Sequence, residues 1–285
     1  TNSNMNKRFR LFGAIIIFWA GVSLLIFYIV SQPKNLKVFY LNIGQGDSAY
    51  VRSPDGTDMI IDGGPSNIVL TELGAVMPWY DKKIDVMVIT NPDKDHIAGL
   101  IDVLDRFEVK VVIEPGTTND TATYKTLEQK IKEEGATHLL AYEGLDIKLG
   151  EETNFEFLFP DRDVSLWERN DGSAVGILNY GETSFLFMGD STILTEALIL
   201  EKKSEKISNV DVLKAGHHGS KTSTGSAFLE VVRPDFVIIS AGENNSYGHP
   251  SPETIERINE VGSAILTTYE GRVEIESDGN NVFIK

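Results

Sequence analysis

The stretch that decides the fold is NPDKDHIAG, residues 91–99. It follows an apolar run that predicts a buried strand at residues 85–90, and it leads into a helix predicted at residues 97–107. Asp93, Asp95 and His96 therefore stand where a strand gives way to a helix. In α/β sheets, ligands bind at the carboxyl ends of the strands. The pattern predicts an α/β fold with a polar site at one edge of its sheet.

Other predicted strands also end in a carboxylate or a histidine. Asp62 follows the strand predicted at residues 58–61, Asp190 follows the strand at 184–188, and His217-His218 follows the strand at 210–213. Any one of these alone is better explained as a helix N-cap or a turn residue. Because the pattern repeats along the chain, it favours a metal site. Mixed carboxylate and imidazole ligands suit Zn²⁺, Mn²⁺ or Fe.

The composition restricts the chemistry further. The chain has 285 residues, no cysteine and a net charge of −16, from 42 acidic and 26 basic side chains. The lack of cysteine excludes disulfide scaffolds, thiolate metal sites and thiol nucleophiles. The acidic balance argues against binding of DNA or RNA through a broad basic surface.

The N-terminal segment differs from the rest of the chain. Lys7, Arg8 and Arg10 precede residues 11–30, which carry no charged side chain and as a helix would be about 30 Å long. We expect a short basic cytoplasmic segment at residues 1–10, a transmembrane anchor at 11–31 and a linker at 32–36. The positive flank then places the C-terminal domain outside the cytoplasm, at the cell membrane. A buried helix and a cleaved signal peptide are the alternatives.

Residues 37–285 are predicted to form one β-rich α/β domain. Further strands are predicted at residues 37–41, 48–52, 109–113, 155–159, 174–180 and 236–240. Further helices are predicted at 121–135, 193–203, 252–261 and near 226–232, and a C-terminal hairpin turns at 278–280. His138 is interpreted as a half-buried strand residue without a partner.

The segment at residues 91–99 resembles the metal-binding signature of the metallo-β-lactamase superfamily. Segments 39–48, 61–64, 187–190, 213–221 and 247–250 resemble, in the same order, motifs of the soluble hydrolase domain of the ComEC competence (DNA-uptake) family. The resemblance covers nearly all of residues 37–285. It implies a four-layer αββα sandwich that holds one or two divalent metal ions, Zn or Mn.

The resemblance also implies roles for individual residues. The family signature His-x-Asp-x-Asp-His has as its counterparts here Asn91, Asp93, Asp95 and His96. Asp190 corresponds to the carboxylate that bridges two metals, and His217 or His218 supplies a late histidine ligand. Asp95 would both bind metal and orient the attacking water, and His249 would protonate a leaving group or contact a phosphate. Asp62 would support a ligand through a hydrogen bond.

Two departures from the family pattern modify these expectations. Asn91 stands where the family has a histidine, and a neutral amide is a weaker ligand than imidazole. We therefore expect one firm metal and a second that is weak or recruited with substrate. The full competence protein resembles a multi-pass channel, whereas here a single anchor is expected, so DNA transport is not implied.

The sequence thus predicts a membrane-anchored hydrolase in which metal-bound hydroxide attacks the substrate, most simply a phosphodiesterase or nuclease-like enzyme. The alternatives are a hydrolase of lactones, thioesters or other esters, and a catalytically weakened binding module. The acidic surface fits a long polyanion only if cations and local lysines such as Lys214 and Lys221 screen it. Residues 220–223 are interpreted either as a phosphate site at a following helix N-terminus or as an N-cap.

Overall fold

The computed structural model describes residues 12–24 and 35–285. Residues 12–24 form a helix, α1, which is part of the predicted anchor; the remainder of the anchor and the segment at 1–10 lie outside the described residues. Within the described ranges, no helix is both long and apolar enough to cross a membrane. The chain divides into two compact units, Thr1–Lys34 and Asn35–Lys285, and the features below belong to the second.

Eight strands form the first sheet of this unit. They are β1 (Leu36–Tyr40), β2 (Ala49–Arg52), β3 (Asp58–Ile61), β4 (Lys83–Val88), β5 (Glu108–Glu114), β6 (Thr137–Leu140), β14 (Val273–Ser277) and β15 (Val282–Ile284). Their order across the sheet is β15-β14-β1-β2-β3-β4-β5-β6. The strands from β3 to β6 run parallel, and the other neighbours pair antiparallel.

Seven strands form the second sheet. They are β7 (Asp146–Lys148), β8 (Thr153–Phe159), β9 (Val175–Tyr180), β10 (Thr183–Phe187), β11 (Val212–Lys214), β12 (Phe236–Ile239) and β13 (Ala264–Thr267). Their order is β13-β12-β11-β10-β9-β8-β7, with parallel pairing from β10 to β13. Each sheet thus has a block of parallel strands whose carboxyl ends can carry a site.

Helices cover the outer face of each sheet. The helices packed on the first sheet are α2 (Ile68–Val76), α3 (Lys94–Leu104) and α4 (Ala122–Glu134). The helices packed on the second sheet are α5 (Ile193–Lys203), α6 (Ser226–Val232) and α7 (Pro252–Glu260). A third apolar cluster lies between the two sheets. The described residues therefore form the predicted αββα layering.

Alternation along the strands explains why both faces of each sheet are covered. Val38 and Tyr40 of β1 point into the layer between the sheets, whereas Phe39 and Leu41 face the helices. The ring of Tyr40 stacks on Phe187 of β10, with 5.7 Å between the centroids. Strands that are apolar on both faces are typical of sheets buried on both sides.

The element boundaries differ from prediction in ways that affect the site. The helix α3 begins at Lys94 rather than at residue 97, which places Asp95 and His96 in its first turn. The elements α2, β7 and β13 were not predicted. His138 does lie on a strand, β6, but the interpretation that it lacks a partner is wrong, because its Nε2 lies 2.9 Å from Oε1 of Glu114.

Candidate metal centre

Four side chains from three parts of the chain converge at the shared edge of the two sheets. Asp95 and His96 lie in the first turn of α3, Asp190 follows β10, and His218 lies in the 3₁₀ turn Gly216–Gly219 after β11. Nε2 of His96 is 3.1 Å from Oδ2 of Asp190, and Nε2 of His218 is 3.2 Å from Oδ2 of Asp95. Two ligands bound about 2.1 Å from one metal would be separated by about 3.0–3.4 Å. Asp95, His96 and His218 each offer a ligand atom within 4.8 Å of the other two, and Nε2 of His218 is 3.4 Å from Oδ1 of Asp190, so the spacing fits one divalent cation.

The turn that carries His218 has an uncommon backbone conformation. His217 and His218 have φ values of 46° and 54°, in the left-handed region. For residues with a side chain this conformation costs about 1–2 kcal/mol each. Hydrogen bonds hold the turn in place: Oγ of Ser223 donates to the carbonyl of Gly216 at 2.6 Å, and Oγ1 of Thr224 accepts from the backbone N–H of Gly216 at 3.2 Å.

The structure corrects one of the two interpretations of residues 220–223, that of an N-cap. The helix α6 begins at Ser226 with Gly225 as its N-cap, so residues 220–223 do not cap it. Ser223 instead holds the turn Gly216–Gly219, and Oγ of Ser220 contacts Oγ1 of Thr222 at 3.0 Å. The hydroxyl of Ser223 therefore helps to hold the turn that carries His217 and His218.

Buried carboxylates fix the orientation of both histidine rings. Nδ1 of His96 lies 2.9 Å from Oδ2 of Asp62, which also accepts from the hydroxyl of Thr90. Nδ1 of His218 lies 3.0 Å from Oδ1 of Asp47 and 3.0 Å from the carbonyl oxygen of Ser240. Because these neighbours of Nδ1 are acceptors, Nδ1 of each ring donates, and Nε2 is the nitrogen that faces the centre and would give its lone pair to a bound cation.

The atoms that face the centre lack hydrogen-bond partners. Nε2 of His96, Nε2 of His218 and Oδ1 of Asp190 are all buried, and none makes a hydrogen bond to the described residues. Lone pairs of nitrogen and oxygen face one another there, an arrangement that is unfavourable unless a proton or a cation lies between them. The residues present therefore fit a bound divalent metal ion.

The close approach of carboxylates and imidazoles shifts the pKa values of His96, His218 and Asp190. Burial lowers the pKa of His218, but the carboxylates of Asp190 and Asp47 outweigh it and raise the pKa to about 10. Burial likewise lowers the pKa of His96, and Asp190 and Asp62 raise it well above its ordinary value. Burial raises the pKa of Asp190, whereas His218 and His96 bring it well below its usual range. These shifts favour protonated rings, and a cation would compete with the protons for Nε2.

A pocket of about 140 Å³ opens above these atoms. It is lined by Gln45, Asp93, Asp95, Asn170, Asp190, His217, His218, Tyr247 and His249. Nε2 of His217 is 3.8 Å from Oδ2 of Asp190, and its ring is 5.4 Å from that of His249 between centroids. His217 and His249 therefore lie at the rim of the pocket. His218 is the deeper neighbour and the one whose ring is held by a carboxylate.

Asn91 and Asp93 do not join the four converging side chains. The amide of Asn91 donates to Oδ1 of Asn170 at 3.0 Å and to Oγ of Ser173 at 3.1 Å, and its oxygen accepts from the backbone N–H of Asp93. Oδ1 of Asp93 accepts from Nε of Arg169 at 2.6 Å. The structure therefore brings together Asp95, His96, Asp190 and His218, and places Asn91 and Asp93 in a separate hydrogen-bonded group.

Several residues at the site had no assigned role in the sequence analysis. Asp47 and Arg169 are the most important of them, and both act through contacts between distant parts of the chain. Lys214 is not a screening lysine on the surface, as we expected, but is buried with its Nζ 2.5 Å from Oδ2 of Asp47. Lys214 directly follows the strand predicted at residues 210–213, a position that does not indicate burial.

The fold and the centre together define a class of protein: an αββα sandwich with an Asp/His metal site at the edge of its sheets. Residues 41–243 match the model of the Metallo-beta-lactamase superfamily. The chain belongs to this superfamily, whose members are generally metal-dependent hydrolases and whose fold binds divalent metals, usually Zn.

Known relatives refine this placement. The chain is 30% identical to ComE operon protein 3 of Bacillus subtilis over 87% of its length, and 27% identical to Recombination protein 2 of Haemophilus influenzae over 96%. It spans 34% and 32% of those two proteins, about a third of each. The metallo-beta-lactamase fold protein YhfI of Bacillus subtilis has a similar structure, with a TM-score of 0.57 at 13% identity, covering 85% of this chain and all of that one. The resemblance to competence proteins predicted from the motifs is confirmed.

Proposed function

We propose that the chain is a metal-dependent phosphodiesterase that holds one firmly bound divalent cation between Asp95, His96, Asp190 and His218. The observation that carries the proposal is the group of unpartnered, buried ligand atoms, Nε2 of both histidines and Oδ1 of Asp190. A divalent cation bound there would supply Lewis acidity and lower the pKa of a water molecule.

The residues around the cation position have separable tasks in this proposal. His96 and His218 hold the cation through Nε2, with Asp62 and Asp47 fixing their rings. Asp95 lines the pocket and its Oδ2 is 3.2 Å from Nε2 of His218, so it can bind the cation and accept a hydrogen bond from the attacking water.

His249 is the candidate for contact with the phosphate of the substrate. It lines the pocket, and its buried Nδ1 has no hydrogen-bond partner among the described residues. Burial lowers its pKa, and the nearby His217 and His218 lower it further. His249 is therefore mainly neutral near neutral pH, and it can accept a proton or hydrogen-bond to a phosphate oxygen.

The substrate class rests on the relatives and on the shape of the pocket. Among the relatives are Recombination protein 2 of Haemophilus influenzae and Competence protein ComA of Neisseria gonorrhoeae, and these names favour a nucleic-acid substrate. A pocket of about 140 Å³ admits one phosphodiester group and its immediate neighbours rather than a duplex. The net charge of −16 also favours a flexible single strand or a small phosphodiester over a long rigid polyanion.

The N-terminal segment is proposed to anchor the chain at the membrane, with the hydrolase domain outside the cytoplasm. Its described helix, α1, is apolar and exposed: Phe12, Ile17 and Trp19 are 69%, 74% and 62% exposed. Exposed apolar surface of this kind needs a lipid or protein neighbour. Fractionation of cells that express the full chain, followed by protease treatment of intact cells, tests both the anchoring and the orientation.

The activity is tested with the full chain loaded with Mn²⁺ or Zn²⁺. Substrates are single-stranded DNA, bis-p-nitrophenyl phosphate and a panel of lactones, thioesters and other esters. We expect metal-dependent phosphodiester cleavage that Asp95→Ala abolishes and that Asp102→Ala, on the same helix, retains. Cleavage of lactones or esters alone would replace the proposal with that activity, and bound metal without turnover would indicate a binding module.

A further inference from the structure

An arginine, Arg169, contacts Asp93, one of the carboxylates that line the pocket. Nε of Arg169 donates to Oδ1 of Asp93 at 2.6 Å, and the side-chain amide of Asn119 donates to the same oxygen at 2.7 Å. A guanidinium stays protonated at all ordinary pH values. A fixed positive charge therefore lies beside a carboxylate that lines the pocket.

The second residue on this side, Asn91, is engaged in hydrogen bonds at both polar atoms of its side chain. It is fully buried, its amide nitrogen donates to Asn170 and Ser173, and its oxygen accepts from the backbone N–H of Asp93. By contrast, Nε2 of His96, Nε2 of His218 and Oδ1 of Asp190 are buried and have no hydrogen-bond partner among the described residues. The available ligand atoms therefore fit a cation beside His96, His218 and Asp190 but not beside Asn91.

We infer that Arg169 supplies, on the Asp93 side of the centre, the positive charge that a second metal ion would supply, and that its guanidinium binds a phosphate oxygen of the substrate. The inference rests on the proposed function, because it assigns a residue to recognition of the phosphodiester. It also explains how Asn91 can replace a histidine ligand while the chain keeps an anion-binding site.

The geometry of Arg169 suits this task. Its side chain is 41% exposed, and its two terminal nitrogens make no hydrogen bond to the described part of the chain. The guanidinium is a planar fork whose remaining N–H groups match the geometry of phosphate oxygens. Asp93 fixes the arginine through Nε, so the terminal nitrogens are left to face an incoming anion.

Metal stoichiometry tests the first half of the inference, that Arg169 takes the place of a second metal ion. The full chain is incubated with Mn²⁺ or Zn²⁺, desalted and analysed by mass spectrometry for metal per chain. We expect one tightly held equivalent in the wild type and in Arg169→Gln, and a second equivalent when Asn91→His is combined with Arg169→Ala. Two tight equivalents in the wild type would overturn this half.

Binding of inorganic phosphate tests the second half, that the guanidinium of Arg169 binds a phosphate oxygen. This test does not require that the chain turns over a substrate. Calorimetric titration of the metal-loaded chain should show affinity that is lower in Arg169→Gln by roughly tenfold to a hundredfold, the size of a lost charge-assisted hydrogen bond. The matched control is Arg162→Gln, which removes a half-exposed arginine paired with Asp161 and should change nothing. Equal affinity in Arg169→Gln and the wild type would overturn the inference.

The two proposals fail in different ways. If the chain binds phosphate through Arg169 but cleaves no phosphodiester, the inference stands and the proposed function falls. If the chain cleaves phosphodiesters while Arg169→Gln retains full phosphate affinity, the proposed function stands and the inference falls.

Discussion

Nδ1 of His218 lies 3.0 Å from Oδ1 of Asp47, although 171 positions separate the two residues along the chain. The other oxygen of the same carboxylate contacts Nζ of Lys214 at 2.5 Å. All three side chains are buried. Asp47 therefore has two tasks: it fixes the proton of His218 on Nδ1, and it balances the charge of a buried lysine.

We predict that Asp47→Asn weakens both metal binding and the fold. Loss of the carboxylate that orients a ligand typically costs 10–100-fold in metal affinity. It also leaves Lys214 buried without a counter-charge, which should lower the free energy of unfolding by about 3–5 kcal/mol. Both effects can be measured, the first by competition with a metal-binding dye and the second by urea denaturation.

The matched control for this prediction is Asp58→Asn. Asp58 is also a buried carboxylate paired with a cation, Arg52 at 2.9 Å, but it lies outside the metal centre. Its replacement should lower stability and leave metal affinity unchanged. If the two variants lose metal affinity equally, the effect of Asp47 is one of general stability rather than of orientation.

His217 and His218 should differ in their importance for metal binding. His218 has its Nδ1 held and its Nε2 facing the centre, whereas Nε2 of His217 is 3.8 Å from Asp190 at the pocket rim. We expect His218→Ala to abolish tight metal binding, and His217→Ala to retain one metal equivalent while lowering the rate of substrate cleavage. Metal analysis of the two purified variants checks this. Retention of metal in His218→Ala together with its loss in His217→Ala would reverse the assignment.

Metal binding should release protons near neutral pH. The folded chain raises the pKa of His218 from 6.5 to about 10, so the protonated ring is favoured in the folded state. This contribution to stability is fully present below about pH 6.5 and is lost as the pH rises toward about 10. A cation competes for the same nitrogen, so metal affinity should rise with pH across this window.

Calorimetry in two buffers of different ionisation enthalpy counts the released protons. The control is His138→Gln, which removes the histidine paired with Glu114 outside the metal centre and should leave the count unchanged. Metal affinity that stays constant as the pH rises through this window would show that the histidines are neutral before the metal arrives.

The sequence predicted the fold well where local signals were strong. The strand β3 has the predicted bounds, since Gly56 precedes it and Gly63-Gly64 follows it, and α5 has the predicted bounds because Thr192 caps it. The helix α2 was missed although Asn67, a residue type favoured at N-caps, precedes it, because the helix has no acidic residue in its first turn and no basic residue in its last. Cap and turn residues are the signals on which boundary prediction depends.

The site was predictable only in part, for a physical reason. Asp95, His96 and Asp190 could be predicted as metal ligands, because a carboxylate or imidazole that follows an apolar strand is a local pattern in the sequence. The partners Asp47 and Arg169 approach the site through the tertiary fold, and no spacing in the sequence indicates such contacts. The choice between His217 and His218 likewise depends on which ring meets a buried carboxylate.

Two helical glycines give the last prediction, on how α3 is placed. A Cβ on Gly99 would lie 2.1 Å from the carbonyl oxygen of Gly63 and 2.6 Å from that of Ser66, so α3 can approach this loop only without a side chain there. Gly99→Ala should therefore lower the free energy of unfolding by about 1–3 kcal/mol and weaken metal binding, because Asp95 and His96 begin the same helix. Gly74 of α2 has open space around it, and Gly74→Ala should raise stability by about 0.5–1 kcal/mol. Urea denaturation of both variants decides the point, since equal stabilisation would show that α3 is not held at this contact.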